Sequence, residues 1–377
     1  MKIGYDGKRI FHNFRGLGNY SRNLVEGIGK YYPENEISLF TTPIKDQRSL
    51  SWAKNHPNAK IISPSSKFFQ KFPSIWRSFF LVNEIKKMDL DIYHGLSHEL
   101  PFFSDQLKCK KVVTIHDLIF KRFPKFFSLI DRNTYSIKYS YSCKNADLII
   151  AICEQTKKDL IELMGVPSKK IEVAYQSCDP IFSKQLSSEE KDPLRKKYNL
   201  PENYILFVGA LEPNKNALNL VKAFASVKSK DLFLVIIGKG KSYKDKLLKE
   251  IKSAGISEKV IFFDYISIED LPGIYQLAKL FVFPSFFEGF GIPIIEALFS
   301  RTPVITTKGH CFSEAGGPSS LYVYPSSSQE LAGAIKKVLE NPDLSREMAE
   351  RGWEHVQRFG LDKTSQRIME IYESLNS

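Results

Sequence analysis

At 377 residues the chain is longer than one hydrophobic core usually organises, so two domains are expected, and 25% charged with 43% hydrophobic residues excludes a disordered or fibrous chain. No run approaches the roughly 18 apolar residues of a membrane span, and residues 1–6 begin directly as a strand without a signal peptide, so a cytoplasmic chain is expected; five scattered cysteines lack CxxC or metal-ligand spacing and read as buried, reduced thiols. The net charge of +12 calls for an anionic partner, and nucleic acid, an anionic membrane surface and a diphosphate substrate all satisfy it.

After the first strand come Arg15, Gly16, Leu17 and Gly18, followed by apolar residues at helical spacing (Tyr20, Leu24, Val25, Ile28). Glycines at a helix start after a strand hold phosphate groups in many folds, and in others they only make the turn. Residues 67–87 (KFFQKFPSIWRSFFLVNEIKK) and 119–129 (IFKRFPKFFSL) interleave aromatics with Lys and Arg. Two readings are open for them: basic segments lying in the headgroups of an anionic membrane, or core aromatics with a solvated basic rim. Asp89, Leu90 and Asp91 spell a DxD, but on the approach to a strand (residues 92–94) rather than after one, so no metal is implied. The β-branched run at 112–115 ends in His116 and Asp117, where a parallel sheet gathers its ligands. A strand at 146–152, a helix at 154–164 ended by Gly165, and a strand at 171–175 reaching Gln176, Ser177, Cys178 and Asp179 complete a first alternating α/β half.

Residues 183–200 are polar and charged, as a linker would be, and the rhythm then restarts. Strands are expected at 204–208, 232–237, 260–263, 280–283 and 302–306, and helices at 218–227, 268–277, 331–339 and 345–359. The strand at 232–237 ends at Gly238, and that at 302–306 leads to Glu314. The stretch 278–300, AKLFVFPSFFEGFGIPIIEALFS, is the centre of the chain: strand, aromatic turn with Gly289, Phe290 and Gly291, then a helix start at Ile292 and Pro293. Its unpaired amides make an anion site, flanked by Glu288 and Glu296. Either the two carboxylates accept hydrogen bonds from hydroxyls on both sides of a bound phosphate, the pattern of a sugar nucleotide, or Glu296 complements the helix dipole and Glu288 is a solvated loop residue.

Glu288 and Glu296, within EGFGIPIIEA, resemble the acidic motif of the retaining family 4 glycosyltransferases. The glycine loop at 15–18, the strand ending at His116, the segment EPNKN at 212–216, the Gly238 loop and the Glu314 loop match the same family in order. The resemblance implies the GT-B architecture, α/β, with two Rossmann-like domains facing a deep interdomain cleft. Residues 1–182 would form the acceptor domain, 201–360 the nucleotide-sugar domain, and a last helix at 361–377 would cross back to the first. It further implies that Glu288 lies against the donor hexose, Glu296 binds the ribose and His116 touches the sugar near the reacting carbon. Lys215 would clamp the diphosphate, with Gly16, Gly18, Gly209, Asn214, Gly238, Gly289, Phe290, Gly291 and Ile292 around the donor. Arg15, Asp117 and Glu314 would meet the acceptor or the sugar. No metal or other cofactor is implied.

The chain departs from the family at the clamp. Ala210 and Asn214 stand where an Arg is common, with Lys239 and Arg15 as candidate substitutes, and Gln176-Ser177 replaces the usual Asn-Gly. The expected activity is transfer of a hexose, mannose or glucose, from a nucleoside diphosphate sugar to a glycan or lipid-linked acceptor of a cell-surface polysaccharide or lipopolysaccharide. Rival readings are a sugar-nucleotide epimerase or phosphorylase on the same fold, or a non-catalytic basic protein that binds membrane or nucleic acid. No zinc-finger, RRM or KH pattern is present, so nucleic acid is not the expected partner.

Overall fold

Short runs rich in Ile, Val, Leu and Phe form the sheets of this protein, and the central ones are buried on both faces as parallel strands under helices must be, while the outermost strands are partly exposed. The computed structural model describes residues 1–56 and 58–376. It divides into two units, one of Met1–Cys178 with Phe359–Ser377, the other of Asp179–Arg358.

The first unit holds β1 (Lys2–Asp6), β2 (Glu36–Phe40), β3 (Ala59–Ile62), β4 (Ile92–Gly95), β5 (Lys110–Ile115), β6 (Leu148–Ala151) and β7 (Ile171–Val173). They pair in parallel in the order β3-β2-β1-β4-β5-β6-β7. The order reverses between β1 and β4, the kind of place where open α/β sheets receive ligands at their carboxyl ends. The second unit repeats the plan with β8 (Tyr204–Val208), β9 (Phe233–Ile237), β10 (Val260–Phe263), β11 (Leu280–Phe283), β12 (Val304–Thr307) and β13 (Leu321–Val323), in the order β10-β9-β8-β11-β12-β13. Its reversal lies between β8 and β11.

The segment 183–200, expected as a linker, is instead part of the second unit. It contains the helix Ser188–Lys197, started by a capping box in which Ser187 Oγ accepts from the Glu190 amide and the Glu190 carboxylate accepts from the Ser187 amide. Its polar composition reflects a helix with one narrow contact: Leu186 and Leu194 fill the space that a Cβ on Gly273 would need. The unit boundary also falls earlier than 182, because Phe182 is buried edge-to-face against Tyr275, with ring centroids 5.7 Å apart.

The last helix, Leu361–Asn376, packs in the first unit on the helix Gly16–Tyr31. Gly27 permits that approach, since a Cβ there would overlap Ser365 Oγ. Residues 67–87 do not form one helix. Pro73 interrupts them, giving short helical pieces from Lys67–Lys71 to Leu81–Ile85 around a π-helical turn at Trp76–Phe80. Trp76, Leu81, Val82 and Ile85 enter the core while Phe68, Phe72 and Phe79 stay exposed, so the stretch contains both kinds of aromatic foreseen for it. The helix Leu129–Asn145, to which the sequence reading assigned nothing, has a weak amphipathic pattern and buries only Tyr139, Ser142 and Cys143. The five cysteines are buried. Among the described residues no helix is long and apolar enough to cross a membrane.

Candidate active site

In the second unit the loops at the carboxyl ends of β8, β9, β11, β12 and β13 converge. Asn216 ties three of them. It starts the helix Ala217–Val227 in the left-handed conformation (φ 57°), which Asn tolerates, and its Nδ2 donates to the carbonyls of Pro284 (3.0 Å) and Pro325 (2.7 Å). Asn214 accepts the Phe286 amide at 2.9 Å. Gly238 lies against Gly209, whose carbonyl oxygen a Cβ at 238 would overlap. The amide of Leu211 donates to the Lys239 carbonyl at 2.8 Å, which aligns these two loops. Thr307 Oγ1 holds the Ser285 carbonyl at 2.8 Å, and Cys311 Sγ that of Glu288 at 3.3 Å.

This scaffold brings Lys215 and Glu288 together. Nζ donates to both carboxylate oxygens, at 2.6 and 2.7 Å, in a pair that keeps about a fifth of Lys215 exposed. Gly291 follows at φ 109°, a region favouring glycine, and opens the helix Ile292–Phe299 with Pro293 in its first turn. Phe290 is buried beneath the turn. Glu296 is partly buried on that helix and accepts a hydrogen bond from Tyr275 Oη at 3.0 Å. Burial raises its carboxyl to about 7, with Asp179 adding to the rise and Tyr275 opposing it. Glu314 lies in the helix Phe312–Gly316, and its carbonyl is in contact with His355 Nε2 at 3.0 Å.

In the first unit His116 follows β5 and is buried. Its Nε2 lies 2.9 Å from the Leu96 carbonyl, which can only accept, so Nε2 carries the proton and Nδ1 is left as the acceptor. Burial lowers it to about 4, partly opposed by the Leu96 bond, so the ring is neutral at physiological pH. Its amide donates to His98 Nδ1 at 3.3 Å, and Tyr20 packs edge-on against the ring with centroids 4.6 Å apart. Tyr20 Oη in turn meets Thr114 Oγ1 (3.0 Å), Thr114 meets His94 Nε2 (2.8 Å), and His94 Nδ1 meets Tyr372 Oη (2.6 Å) on the last helix.

Arg15 precedes the helix at Gly16 and is exposed; its carbonyl accepts the amides of Gly18 and Asn19. A Cβ on Gly16 would meet nothing within 4 Å, whereas one on Gly18 would overlap the Asn13 carbonyl. Asp117 Oδ1 accepts the Ile119 amide at 3.1 Å. Asp91, of the DxD, accepts the Lys2 amide at 2.7 Å, at the amino end of the sheet and away from these loops. Among the described residues no His, Cys, Asp and Glu cluster could hold a metal ion.

The motif order therefore maps onto strand ends in both units. Residues 14–180 match the model of glycosyltransferase family 4, and residues 189–355 that of glycosyl transferases group 1. The chain belongs to this glycosyltransferase family. It is similar to O-antigen chain mannosyltransferase B of Escherichia coli, 26% identical over 394 aligned positions that cover 100% of both chains. It also resembles the O-antigen chain mannosyltransferase RfbU of Salmonella typhimurium, 28% identical with 82% of each chain covered. Among solved structures, Anabaena HepE in complex with UDP and glucose superposes with a TM-score of 0.77 at 19% identity, over 99% of this chain and 100% of that one. The lipopolysaccharide-biosynthesis glycosyltransferase WaaG gives 0.71 at 16%, over 99% of each. The fold of this glycosyltransferase is GT-B.

Asn216, Tyr275 and Cys311 position the site although sequence reasoning did not single them out. Asn216 stood within the EPNKN run and could have been read as a left-handed helix start. Nothing local marked Tyr275, 21 residues from the carboxylate it serves.

Proposed function

We propose that this chain transfers mannose from GDP-mannose, with UDP-glucose as the second choice, to a hydroxyl of a growing cell-surface glycan carried on a lipid, with retention of configuration and without a metal ion. The observation that carries the proposal is the full-length similarity to an O-antigen chain mannosyltransferase. In the second unit the donor exchanges partners with the Lys215–Glu288 pair: Nζ moves to a phosphate oxygen and the Glu288 carboxylate accepts from a hexose hydroxyl. The amides at the Gly291 helix start hold the phosphates, Glu296 accepts from the ribose, and Gly209, Asn214, Gly238, Gly289, Phe290 and Ile292 let the backbone come close to the nucleotide. Glu314 lies near the hexose. Gly16 and Gly18, with Arg15 and Asp117, present the acceptor side of the first unit, and neutral His116 offers Nδ1 to a sugar hydroxyl.

In the reaction the acceptor oxygen bonds to the anomeric carbon on the face from which the diphosphate departs. The departing phosphate oxygen takes the acceptor's proton, so no protein nucleophile is used. Lys215 and the helix start offset the charge that builds on the leaving group, the step where fixed positive charge counts most. An acceptor on a lipid places the protein at the inner face of a membrane. Exposed Phe68, Phe72, Phe79, Phe126, Leu129, Ile130 and Ile137, with Lys67, Lys71, Lys121 and Lys125 nearby in the chain, support contact with anionic lipid through 67–87 and the segment from 119 onward. Equal co-sedimentation with anionic and zwitterionic vesicles would remove that contact.

Thermal protection by a panel of nucleoside diphosphates and their sugars tests the donor. A ligand at a hundred times its Kd stabilises by about 2.7 kcal/mol, so protection by one base, reduced in Lys215→Ala and Glu296→Ala, is the expected result. Incorporation of labelled mannose into lipid-linked glycan, with the product anomer assigned by NMR and EDTA without effect, then tests the transfer. No protection by any member of the panel would overturn the proposal.

A further inference from the structure

We infer that Arg9 and Lys8, at the carboxyl end of β1, form an anion site in the first unit that takes a phosphate group. This inference is independent of which hexose or acceptor is used. The two carboxylates nearest in the fold are already engaged. Asp6 accepts from Arg77 Nη1 at 2.7 Å and from the Lys8 amide at 3.1 Å, while Glu99 pairs with Arg77 and with Lys138. Arg77 and Lys138 thus balance Asp6 and Glu99, and Lys8 and Arg9 remain as surplus positive charge. Among the described residues neither side chain forms an ion pair.

Arg9 Nε is shielded from solvent and has no acceptor. Of the buried side-chain atoms without a partner among the described residues, it is the one that belongs to a charged group; the others are hydroxyls of Tyr93, Ser285, Ser300 and Ser319. An unpaired guanidinium N–H in such a place fits a ligand atom better than it fits a finished core. Lys8 is half-buried, and its amine is pushed down chiefly by burial and then by the charge of Arg77. A bound anion would relieve both. Arg9 is close enough to His116 and His98 for its charge to help lower them, and as neutral rings they bring no competing charge. The glycine turn adjoins: the Asn13 side chain accepts the Arg15 amide at 2.8 Å, and Gly18 fits only because it has no Cβ to overlap the carbonyls of Asn13 and Arg9. A guanidinium and an ammonium on consecutive residues, close enough for the Arg9 charge to act on Lys8, suit a tetrahedral oxyanion carrying more than one charge, and phosphate is that group.

Such a phosphate has two sources, the diphosphate of the nucleotide donor and the phosphate that joins a glycan to its lipid. Calorimetric titration of the full chain with inorganic pyrophosphate, in a Lys215→Ala background that removes the second unit's clamp, reads the site. Adding Arg9→Gln should weaken binding about tenfold or more, the effect of one charge-assisted hydrogen bond, and Arg9→Lys should restore part of it. If Arg9→Gln melts early, Lys8→Gln makes the same comparison. UDP and GDP on one side, and farnesyl phosphate on the other, then identify the source: loss of affinity for either class in Arg9→Gln supports the site. Pyrophosphate, nucleotide and farnesyl phosphate affinities all unchanged in a variant that melts like its parent would overturn it. These readouts need no turnover, so a failed transfer reaction leaves their meaning intact.

Discussion

In the first unit the polar groups around His116 and His94 are engaged with one another. His116 is fixed by Leu96 and Tyr20, and His94, Thr114, Tyr20 and Tyr372 form a buried hydrogen-bonded chain joining β4, β5 and two helices. In the second unit the central pair, Lys215 and Glu288, is partly exposed and satisfied only by its own members, so a ligand can replace each partner with a phosphate or a hydroxyl. A buried network fixes the orientation of one neutral ring, at the cost of adaptability. A largely buried ion pair at a loop junction opens when a ligand supplies each member with a new partner, because neither charge is then left alone. The first arrangement suits a residue that must not move, the second one that must change partners.

Breaking the second arrangement should have the largest effect. Lys215→Ala is expected to lower kcat about 10²- to 10³-fold, as loss of a group that stabilises developing charge does, and to lower the melting temperature as well, because Glu288 is left largely buried without its partner. Unchanged turnover would make the pair structural. Next comes His116→Ala, which removes the proposed sugar contact and so should slow transfer about tenfold, while also destabilising the fold because the Leu96 carbonyl loses its donor. A stability loss without any change in kcat would leave His116 as a core residue.

Glu296 sharpens the comparison through pH. Its folded-state carboxyl lies near 7, above the ordinary value of 4.5, so the folded protein holds a proton that the unfolded chain releases. Its contribution to stability is therefore present below about 4.5 and declines as pH rises towards 7. Nucleotide affinity should run the other way, rising through about 7 as the carboxylate forms and can accept from the ribose. Glu296→Gln should flatten both trends, and titrations at pH 6 and pH 8 would show whether it does. The smallest effect is expected from Tyr372→Phe, which leaves His94 Nδ1 without its partner. A loss of about 1 to 3 kcal/mol in urea unfolding, with nucleotide affinity intact, would show that the buried chain serves the first unit alone.

Much of this was legible because strand ends carry local signals. The β-branched run before His116 and the strand, turn and helix start around Glu288 and Gly291 placed those residues at carboxyl ends of parallel strands, and the structure has them there. The helix Ser188–Lys197 was misread because its capping box, Ser187 and Glu190, lies within a stretch whose charge dominates its composition. The helix Leu129–Asn145 gave too little apolar periodicity to be seen, since it buries only three of its residues. Residues 32–66, to which nothing was assigned, supply β2 and the edge strand β3.

Local order along the chain determined that this protein is two α/β halves, where their glycine turns lie and which strands end in titratable residues, because φ, ψ preferences and apolar periodicity act between near neighbours. Which partners those residues take was decided only by tertiary structure. Tyr275 reaches Glu296 across 21 positions, Lys215 reaches Glu288 across 73 and Tyr372 reaches His94 across 278, and no short-range preference specifies such pairs. Burial, which raises Glu296 and lowers His116, likewise arises only when distant elements exclude water from the same place.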